Sequence, residues 1–333
     1  MAAVRLGLGV VGCGRMGSIL ARAIARHVPE ARLVAVADAA LASARRLGDE
    51  LGVDGAYPST DELVRQSGVD AVVVAVSSAR HLEVVRAAAA AGQDIFCEKP
   101  LALTVADTES AIEAASAAAV RLQVGFMRRF DPAYRRGYAR VASGEGGRPL
   151  LFKSLQFDPG APPPAMADPA VSGGIHIDMG IHEYDLARWL MGDEVVEVHA
   201  WGGLLACPEL GSVGDVDSAV VNLRFAAGGT GSVELARSAL AEDARTEIVG
   251  ERGTIAIGRR PAAQRTAAAA TGWGTGQLRF ERAYVAELRA FVRSVVRDEP
   301  VAVGGRDALA ALRISLAADR SMREGRPVAV ASA

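Results

Sequence analysis

Cysteine is scarce in this chain of 333 residues, which has three: Cys13, Cys97 and Cys207. An odd number of scattered cysteines excludes a complete disulfide framework, and their spacing matches no zinc-binding pattern. Free cysteines are typical of reducing compartments. We therefore expect a cytoplasmic protein.

Long apolar runs and an excess of one charge are also missing. No segment has ~18 uninterrupted apolar residues, and glycines break the apolar N-terminal stretch, which lacks the charged region of a signal peptide. The net charge is −2, so there is no basic footprint for nucleic acid. The sequence predicts a protein that binds neither membrane nor nucleic acid.

Half of the residues are apolar, and a chain of this length can bury the cores of two domains. In residues 1–125, short apolar runs alternate with Ala- and Arg-rich helical patterns, such as Gly17–Arg26, Ala39–Leu51 and His81–Ala91. The predicted strands are Leu6–Val11, Leu33–Ala37, Ala71–Val76, Ile95–Cys97 and Leu122–Val124. This alternation predicts an α/β fold with a doubly wound parallel sheet of the Rossmann type.

Three short motifs predict the beginnings of further helices. Ser59 with Glu62, and Thr104 with Asp107, resemble capping boxes. Asp131-Pro132 fits an N-cap followed by a first-turn proline, opening a helix to about Ala142.

From residue 126 the pattern changes to extended segments with short, glycine-containing connections. They predict a second α/β domain, residues 126–333, on an open and mainly antiparallel sheet, with its final segment packing back on the first domain. The predicted strands are Leu150–Phe157, Val195–Trp201, Ser218–Phe225, Gly231–Ala236, Thr246–Gly250, Thr254–Ile257 and Val328–Val330. The predicted helices are Gly174–Met191, Arg282–Arg297 and Arg306–Arg323, and the predicted loops are Asp158–Gly174, with five prolines, and Arg259–Gly276.

A glycine motif, G-x-G-x-x-G, directly follows the first predicted strand and opens a helix. Gly12 permits a tight turn, Gly14 lets the backbone approach a pyrophosphate, and Gly17 lets helix and strand pack closely. The helix N-terminus, with Arg15 and Met16, then faces the phosphates. The alternative is a glycine-rich turn without a ligand, but the strand–turn–helix context favours a dinucleotide site.

Asp38 ends the second predicted strand, 21 residues after Gly17. An acidic side chain there accepts hydrogen bonds from the adenosine ribose and repels a 2′-phosphate, which favours NAD over NADP. Ala39 and Ala40 supply no cation, and the later Arg45 is expected to face solvent. The alternative role is a helix N-cap.

Glu98-Lys99-Pro100 follows the strand Ile95–Cys97. The carboxyl ends of parallel strands form the ligand crevice of such sheets, where a lysine can stabilise a developing alkoxide. The alternative for Lys99 is a solvated surface residue.

The segment Asp178–Asp185 reads DMGIHEYD. Asp178 and His182 are four residues apart on a predicted helix, so a carboxylate can orient an imidazole that serves as a base. The first alternative is a polar helix face. The second is a metal site with His176 and Asp185, but the pattern is not H-E-x-x-H and we expect no metal.

Together these segments resemble the glucose–fructose oxidoreductase/inositol dehydrogenase (Gfo/Idh/MocA) family over nearly the whole chain. The resemblance rests on Gly12–Gly17, Asp38, the CEKPLA segment Cys97–Ala102 and Asp178–Asp185. Two more segments are similar to the inositol 2-dehydrogenase branch: Gln123–Asp131 and Arg279–Leu288.

The resemblance implies catalytic roles for Lys99, Asp178 and His182, which also contact the substrate. It implies further substrate contacts at Met127, Arg128 and Asp158, although Phe157 stands where the family pattern has a polar or basic residue. Cofactor contacts are expected at Gly12, Gly14, Arg15, Met16, Gly17, Asp38, Ser77, His81 and Glu98. In the family the exposed sheet commonly mediates a dimer or a homotetramer.

The sequence thus predicts an NAD-dependent dehydrogenase that oxidises a secondary hydroxyl of a cyclitol, myo-inositol or a related inositol, to a ketone. The alternatives are a dehydrogenase of another sugar or aminocyclitol, an NAD-dependent glycoside hydrolase, and a non-catalytic NAD-binding regulator. Net NADH release would exclude the last two. Which hydroxyl reacts, and in which direction in the cell, stays open.

Overall fold

A computed structural model describes residues 5–239, 242–258 and 280–331. The predicted loop Arg259–Gly276 and the residue Arg279 lie outside the described residues. The strands are β1 (Leu6–Val11), β2 (Ala31–Ala37), β3 (Gly55–Tyr57), β4 (Ala71–Val74), β5 (Asp94–Glu98), β6 (Leu122–Gly125), β7 (Pro149–Phe157), β8 (Val195–Gly203), β9 (Ser218–Phe225), β10 (Thr230–Ala236), β11 (Asp243–Gly250), β12 (Gly253–Ile257) and β13 (Val328–Ala329).

Helices connect many of these strands. They are α1 (Arg15–His27), α2 (Leu41–Leu51), α3 (Thr60–Val64), α4 (His81–Ala90), α5 (Val105–Ala117), α6 (Pro132–Ala142), α7 (Pro164–Ala167), α8 (Pro169–Ser172), α9 (Gly174–Asp178), α10 (Gly180–Met191), α11 (Glu281–Arg297) and α12 (Gly305–Glu324). No helix in the described ranges combines the length and apolar character needed to cross a bilayer.

The chain divides into two compact units. The first unit comprises Met1–Met127 with Arg282–Leu309, and the second comprises Arg128–Glu281 with Ala310–Ala333. The first unit is thus built from two separate stretches of chain.

The first unit contains a parallel sheet with the strand order β3-β2-β1-β4-β5-β6. Its central strands are apolar because helices cover both faces, and Val72, Val73 and Val74 are fully buried. The strand order reverses between β1 and β4, so the loops after these strands leave the sheet at one edge and open a crevice. The predicted doubly wound sheet is confirmed, and β3 is a strand that the sequence patterns did not indicate.

The second unit contains a sheet with the order β12-β11-β7-β10-β9-β8-β13. The pair β7 and β10 is parallel, and the other described pairs are antiparallel, which confirms the mainly antiparallel prediction. Phe157 at the end of β7 pairs with Ala236 at the end of β10 and with Asp243 at the start of β11. The residues that follow, Asp158 and Arg237, therefore lie along one edge of this sheet.

The predicted helix beginnings are confirmed. The Ser59 hydroxyl accepts a hydrogen bond from the Glu62 N–H, and the Thr104 hydroxyl accepts one from the Asp107 N–H. Asp131 caps α6, accepting from two backbone N–H groups of its first turn.

The prediction of one helix over Gly174–Met191 is wrong, because the chain forms α9 and α10 with a break at Met179. The His182 N–H donates to the Met179 carbonyl three residues back, 3.3 Å away, rather than four residues back. Asp178 and His182 therefore stand on different helices.

The prediction that Asp158–Gly174 is wholly irregular is also wrong, since α7 and α8 lie within it. Each has a proline in its first turn, where the missing N–H costs nothing. The Asp168 carboxylate caps α8 by accepting from the Ala170 N–H, 2.8 Å away.

Candidate active site

The glycine loop between β1 and α1 shows a different physical reason for each glycine. Gly12 has a φ of +97°, and a Cβ there would lie 2.4 Å from the Ala75 carbonyl oxygen. A Cβ on Gly17 would lie 1.7 Å from the Gly12 carbonyl oxygen, so α1 can begin this close to the strand only with glycine. A Cβ on Gly14 meets no described atom within 4 Å. The fold thus demands glycine at Gly12 and Gly17, whereas at Gly14 it leaves open space that fits a closely approaching pyrophosphate.

Asp38 holds this loop in place. One carboxylate oxygen accepts from the Cys13 N–H at 2.7 Å, and the other accepts from the Ala40 N–H at 2.8 Å. The N-cap of α2 is Ala40, so Asp38 is not the cap residue. Arg45 is exposed, as expected.

A cleft of about 320 Å³ opens beside the glycine loop. Its lining includes the predicted cofactor residues Gly12, Gly14, Asp38 and Ser77. Arg80 also lines the cleft, and its guanidinium pairs with the Glu83 carboxylate at 3.1 Å. The sequence reasoning missed this cation because it considered only the residues that follow Asp38 in the chain.

Lys99 follows β5 at the carboxyl edge of the parallel sheet. Its backbone N–H donates to the Glu98 carboxylate at 3.2 Å. Glu98 is buried, and burial raises the pKa of its carboxyl to about 7, against the lowering effect of the Lys99 charge. Lys99 is half-buried, which argues against a fully solvated surface residue.

His81 ties together the loops after β4 and β5. Its Nδ1 lies 2.7 Å from the Pro100 carbonyl oxygen, and its Nε2 lies 3.1 Å from the Val76 carbonyl oxygen. Burial lowers the pKa of this imidazole, although both carbonyls favour its charged form. The predicted contact of His81 with the cofactor stays a prediction.

Glu287 of α11 is a second buried acid in the first unit. It is fully buried, and neither of its carboxylate oxygens has a hydrogen-bond partner among the residues that the structure describes. Its backbone carbonyl accepts from the Gln123 amide at 3.1 Å. Burial, together with the charge of Glu98, raises the pKa of Glu287 well above its usual range. Glu287 lies on the apolar stripe of α11, one turn after Ala283 and one turn before Phe291, and this is a sequence signal that we overlooked.

In the second unit, Asp178 ends α9 and contacts a buried arginine. The Arg237 guanidinium lies 3.4 Å from the Asp178 carboxylate and 3.2 Å from that of Asp215. Arg237 follows β10 at a core-facing register position, and a charge at such a position is a sequence signal that we overlooked. His182, on α10, is buried with 9% of its surface exposed. The predicted pairing of Asp178 with His182 stays a prediction.

Arg128 is buried at the centre of a polar network in the second unit. Its guanidinium donates to the Glu183 carboxylate and to the Gln156 side-chain oxygen. The Gln156 amide in turn donates to Asp158. Burial raises the pKa of Glu183, and the Arg128 charge opposes this. Arg128 thus connects to Asp158 through the Gln156 side chain, so hydrogen bonds join two predicted substrate-binding residues of this unit.

The side chains of the alternative metal site have other partners. The His176 Nδ1 lies 2.9 Å from the Tyr184 hydroxyl, and the Arg129 guanidinium binds the Asp185 carboxylate at 2.5 and 2.8 Å. No group of three or more metal-ligating side chains with suitable geometry occurs within residues 5–239, 242–258 and 280–331.

Comparison with known protein families matches both parts of the chain. Residues 6–126 match an oxidoreductase family with an NAD-binding Rossmann fold, and residues 134–256 match the GFO/IDH/MocA C-terminal domain. The prediction of NAD as the cofactor is confirmed. The open space at Gly14 and the carboxylate of Asp38 fit this cofactor.

Similar proteins extend over almost the full length. The chain is 39% identical to myo-inositol 2-dehydrogenase from Thermotoga maritima, covering 96% of this chain and 97% of that protein. It is 37% identical to scyllo-inositol 2-dehydrogenase (NAD(+)) from Bacillus subtilis, covering 96% and 94%. The crystal structure of scyllo-inositol dehydrogenase from Lactobacillus casei with bound NAD(H) and scyllo-inositol superposes with a TM-score of 0.91 at 30% identity, covering 99% of this chain and 100% of that one.

Proposed function

This chain belongs to the GFO/IDH/MocA family of oxidoreductases, and we propose that it is an NAD-dependent dehydrogenase that oxidises a secondary hydroxyl of a cyclitol to a ketone. The observation that carries this proposal is the near full-length likeness to enzymes named for myo-inositol and scyllo-inositol. The substrate class is therefore an inositol or a close relative.

The first unit has the features that hold the dinucleotide. Gly14 leaves room for the pyrophosphate, the N-terminus of α1 with Arg15 and Met16 faces it, and Asp38 accepts from the ribose hydroxyls. When bound, NAD⁺ supplies the acceptor for the hydride that leaves the substrate carbon.

Three side chains carry the proton and charge chemistry in this proposal. His182 accepts the proton of the reacting hydroxyl, and Asp178 favours the imidazolium that results. The Lys99 ammonium stabilises the negative charge that develops on the substrate oxygen. Met127, Arg128 and Asp158 are the proposed contacts to the remaining hydroxyls.

We also propose how the molecule is organised around this chemistry. The cofactor domain comprises residues 1 to about 125 together with the later stretch Arg282–Leu309, and the rest of the chain after residue 125 forms the substrate domain. A second copy of the chain packs on the exposed face of the mainly antiparallel sheet, giving a dimer or a homotetramer. The three scattered cysteines, which cannot form a complete disulfide framework, support a cytoplasmic location.

The test is NADH formation, followed at 340 nm, with myo-inositol, scyllo-inositol, chiro-inositol, glucose and an aminocyclitol. We expect net NADH release with at least one inositol. Lys99→Ala and His182→Ala should each lower kcat by roughly 100-fold or more while NAD binding, measured by fluorescence titration, is kept. Dinucleotide binding without turnover on any of these compounds would contradict the proposal.

A further inference from the structure

Arg237 is a cation at a position that faces the core. In β10, Gly231, Val233 and Leu235 are buried on one side of the strand, and Arg237 continues that side with 1% of its surface exposed. A buried guanidinium persists only when carboxylates compensate its charge. The carboxylates that pair with Arg237 therefore indicate the role of this residue.

Asp215 is the buried partner. Its carboxylate lies 3.2 Å from the Arg237 guanidinium, and its side chain is 4% exposed. The same carboxylate accepts from the Ile175 N–H at 3.0 Å, at the beginning of α9. Gly174 packs against it as well, since a Cβ there would lie 3.2 Å from the Asp215 oxygen. Asp215 thus fixes both the arginine and the start of the helix that ends at Asp178.

Asp178 is the accessible partner. Its carboxylate lies 3.4 Å from Arg237, and 40% of its side chain is exposed. An ion pair that only stabilises the fold would need Asp215 alone. The second terminal nitrogen of Arg237 instead contacts the solvent-exposed carboxylate of Asp178. Arg237 therefore joins the buried charge of the unit to an acid that a substrate can reach.

We infer that Arg237, held by Asp215, is a positioning residue that fixes the direction of the Asp178 carboxylate. This inference rests on the proposed function, in which Asp178 supports His182. Held in this way, Asp178 orients the imidazole, and the proton taken from the substrate hydroxyl stays on His182.

The other titratable groups around Arg237 do not replace it in this role. Burial, assisted by the charge of Arg237, lowers the pKa of His176 to about 4, so this ring is neutral at pH 7. The Cys207 thiol, also within reach of the Arg237 charge, has a pKa raised mainly by burial and is neutral as well. Asp217 is also charged, but its carboxylate accepts from the N–H groups of Leu205, Ala206 and Cys207, which lower its pKa against the effect of burial. Arg237 therefore pairs with Asp215 and Asp178.

The first experiment removes both buried charges together in the variant Arg237→Gln/Asp215→Asn, in which asparagine matches aspartate in size and glutamine is shorter than arginine. We expect kcat for inositol oxidation to fall up to roughly 100-fold, with the KM for NAD unchanged, because a misplaced acid costs orientation. Because the Arg237 charge no longer offsets the negative charge of Asp178, protonation of His182 becomes easier, so the acid limb of the kcat/KM profile should move to higher pH. An unchanged kcat and pH profile would overturn the inference.

A double-mutant cycle separates positioning from general stability. Asp178→Asn should lower kcat in the parent protein but add little in the Arg237→Gln/Asp215→Asn background, because Arg237 acts through Asp178. Additive losses would overturn the inference. Should Asp178→Asn alone leave the oxidation intact, the role of Asp178 in the proposed function fails, which is a distinguishable result.

Two further variants control for the general loss of an ion pair and for loss of folding. Arg188→Gln/Glu194→Gln removes another ion pair of the second unit, with 2.6 Å contacts, and should leave kcat within about twofold. Arg237→Lys keeps the buried charge, so it should fold even where the neutral pair does not. It should lower kcat with a smaller pH shift, since lysine lacks the guanidinium fork. Full activity in Arg237→Lys combined with an unshifted profile would count against the inference.

Discussion

Asp38 is the residue on which the choice between NAD and NADP depends most directly. Its two oxygens already hold the glycine loop and the turn into α2, so the carboxylate has little freedom to move away from a 2′-phosphate. We expect kcat/KM to be at least roughly tenfold higher with NAD than with NADP, from a charge clash of ~1–3 kcal/mol. Steady-state kinetics with both cofactors test this, and an equal or higher value with NADP would refute the assignment.

Arg80 modifies this prediction. Its guanidinium lines the same cleft, but the Glu83 carboxylate pairs with it. Asp38→Ser should therefore raise the NADP to NAD ratio of kcat/KM, and adding Glu83→Gln should raise it further by leaving Arg80 uncompensated. Glu83→Gln in the parent protein is the matched control, since there Asp38 still repels the phosphate.

Glu287 makes the stability of the first unit depend on pH. Burial and the charge of Glu98 raise the pKa of Glu287, and the pKa of Glu98 itself is about 7. Above the ordinary pKa of a glutamate, the folded state therefore still binds protons that the unfolded chain has released. Such groups contribute their full stability below the unfolded pKa and lose it as pH rises through the folded one. Stability should therefore fall between about pH 4.5 and at least pH 7.

Glu287→Gln removes this loss, because the amide is neutral at every pH and similar in size. We expect a higher Tm than the parent at pH 8, by roughly 2–4 °C for each kcal/mol recovered, and a smaller difference at pH 5. Differential scanning calorimetry at the two pH values measures this. Glu281→Gln on the same helix, where the residue is exposed, should show no such pH-dependent gain.

The residues that could be identified from the sequence are those whose role depends on neighbouring residues in the chain. The glycines and Asp38 belong to one strand–turn–helix unit, in which spacing alone sets geometry. Arg237 and Glu287 both stand at core-facing positions, which the sequence shows, but their partners lie far away in the chain: Asp178 is 59 residues before Arg237. No periodicity carries information about which distant carboxylate a buried group will meet.

At the scale of elements, the turn from β1 to α1 separates packing from ligand binding. Gly17→Ala places a methyl group against the Gly12 carbonyl, so it should lower the Tm of the protein without cofactor by several degrees. Gly14→Ala meets no described neighbour and has a φ of −70°, so that Tm should stay unchanged. Its Kd for NAD should nevertheless rise at least roughly tenfold, because the methyl occupies the space of the pyrophosphate.

Thermal melts and fluorescence titrations of the two variants give the comparison. Tight NAD binding by Gly14→Ala would mean that the pyrophosphate does not approach this backbone. A melting temperature of Gly17→Ala equal to that of the parent would mean that α1 can shift at little cost.

The predictions of helices and strands were correct where the local sequence signals are strong and wrong where the helices are short. The capping residues Ser59, Thr104 and Asp131 each hold a backbone N–H nearby in the chain, and such signals can be found without the fold. The break at Met179 had only a weak signal, Gly180, and the apolar pattern continues across it. Helices as short as α7 and α8 contain too few residues to show a period.

At the scale of the whole molecule, the sheet of the second unit presents an apolar and aromatic exposed face. Trp201 of β8 pairs with Val220 of β9, and they are 50% and 46% exposed in the single chain. The His199 ring lies against Trp201, with ring centroids 3.9 Å apart. Exposed apolar groups that neighbour each other on a sheet mark an interaction surface.

We expect the protein to be a dimer or larger, and Val220→Arg to shift it towards the monomer by placing a charge in that surface. Sedimentation equilibrium measures the change. Val296→Arg is the matched control, because Val296 is an exposed valine on α11, which belongs to the first unit. A monomeric parent protein would contradict the prediction.

The division of the first unit into two stretches of chain also affects the protein while it is being made. Phe96 packs against Phe291 with ring centroids 5.9 Å apart, and the Gln123 amide needs the Glu287 carbonyl, so residues 1–127 alone lack part of their own core. On a ribosome that adds roughly 5–20 residues per second, the missing stretch emerges about 10–40 seconds after residue 127. Throughout that interval the nascent sheet carries exposed apolar surface that chaperones recognise. The half of the protein whose synthesis begins first therefore cannot complete its core until nearly the whole chain has been made.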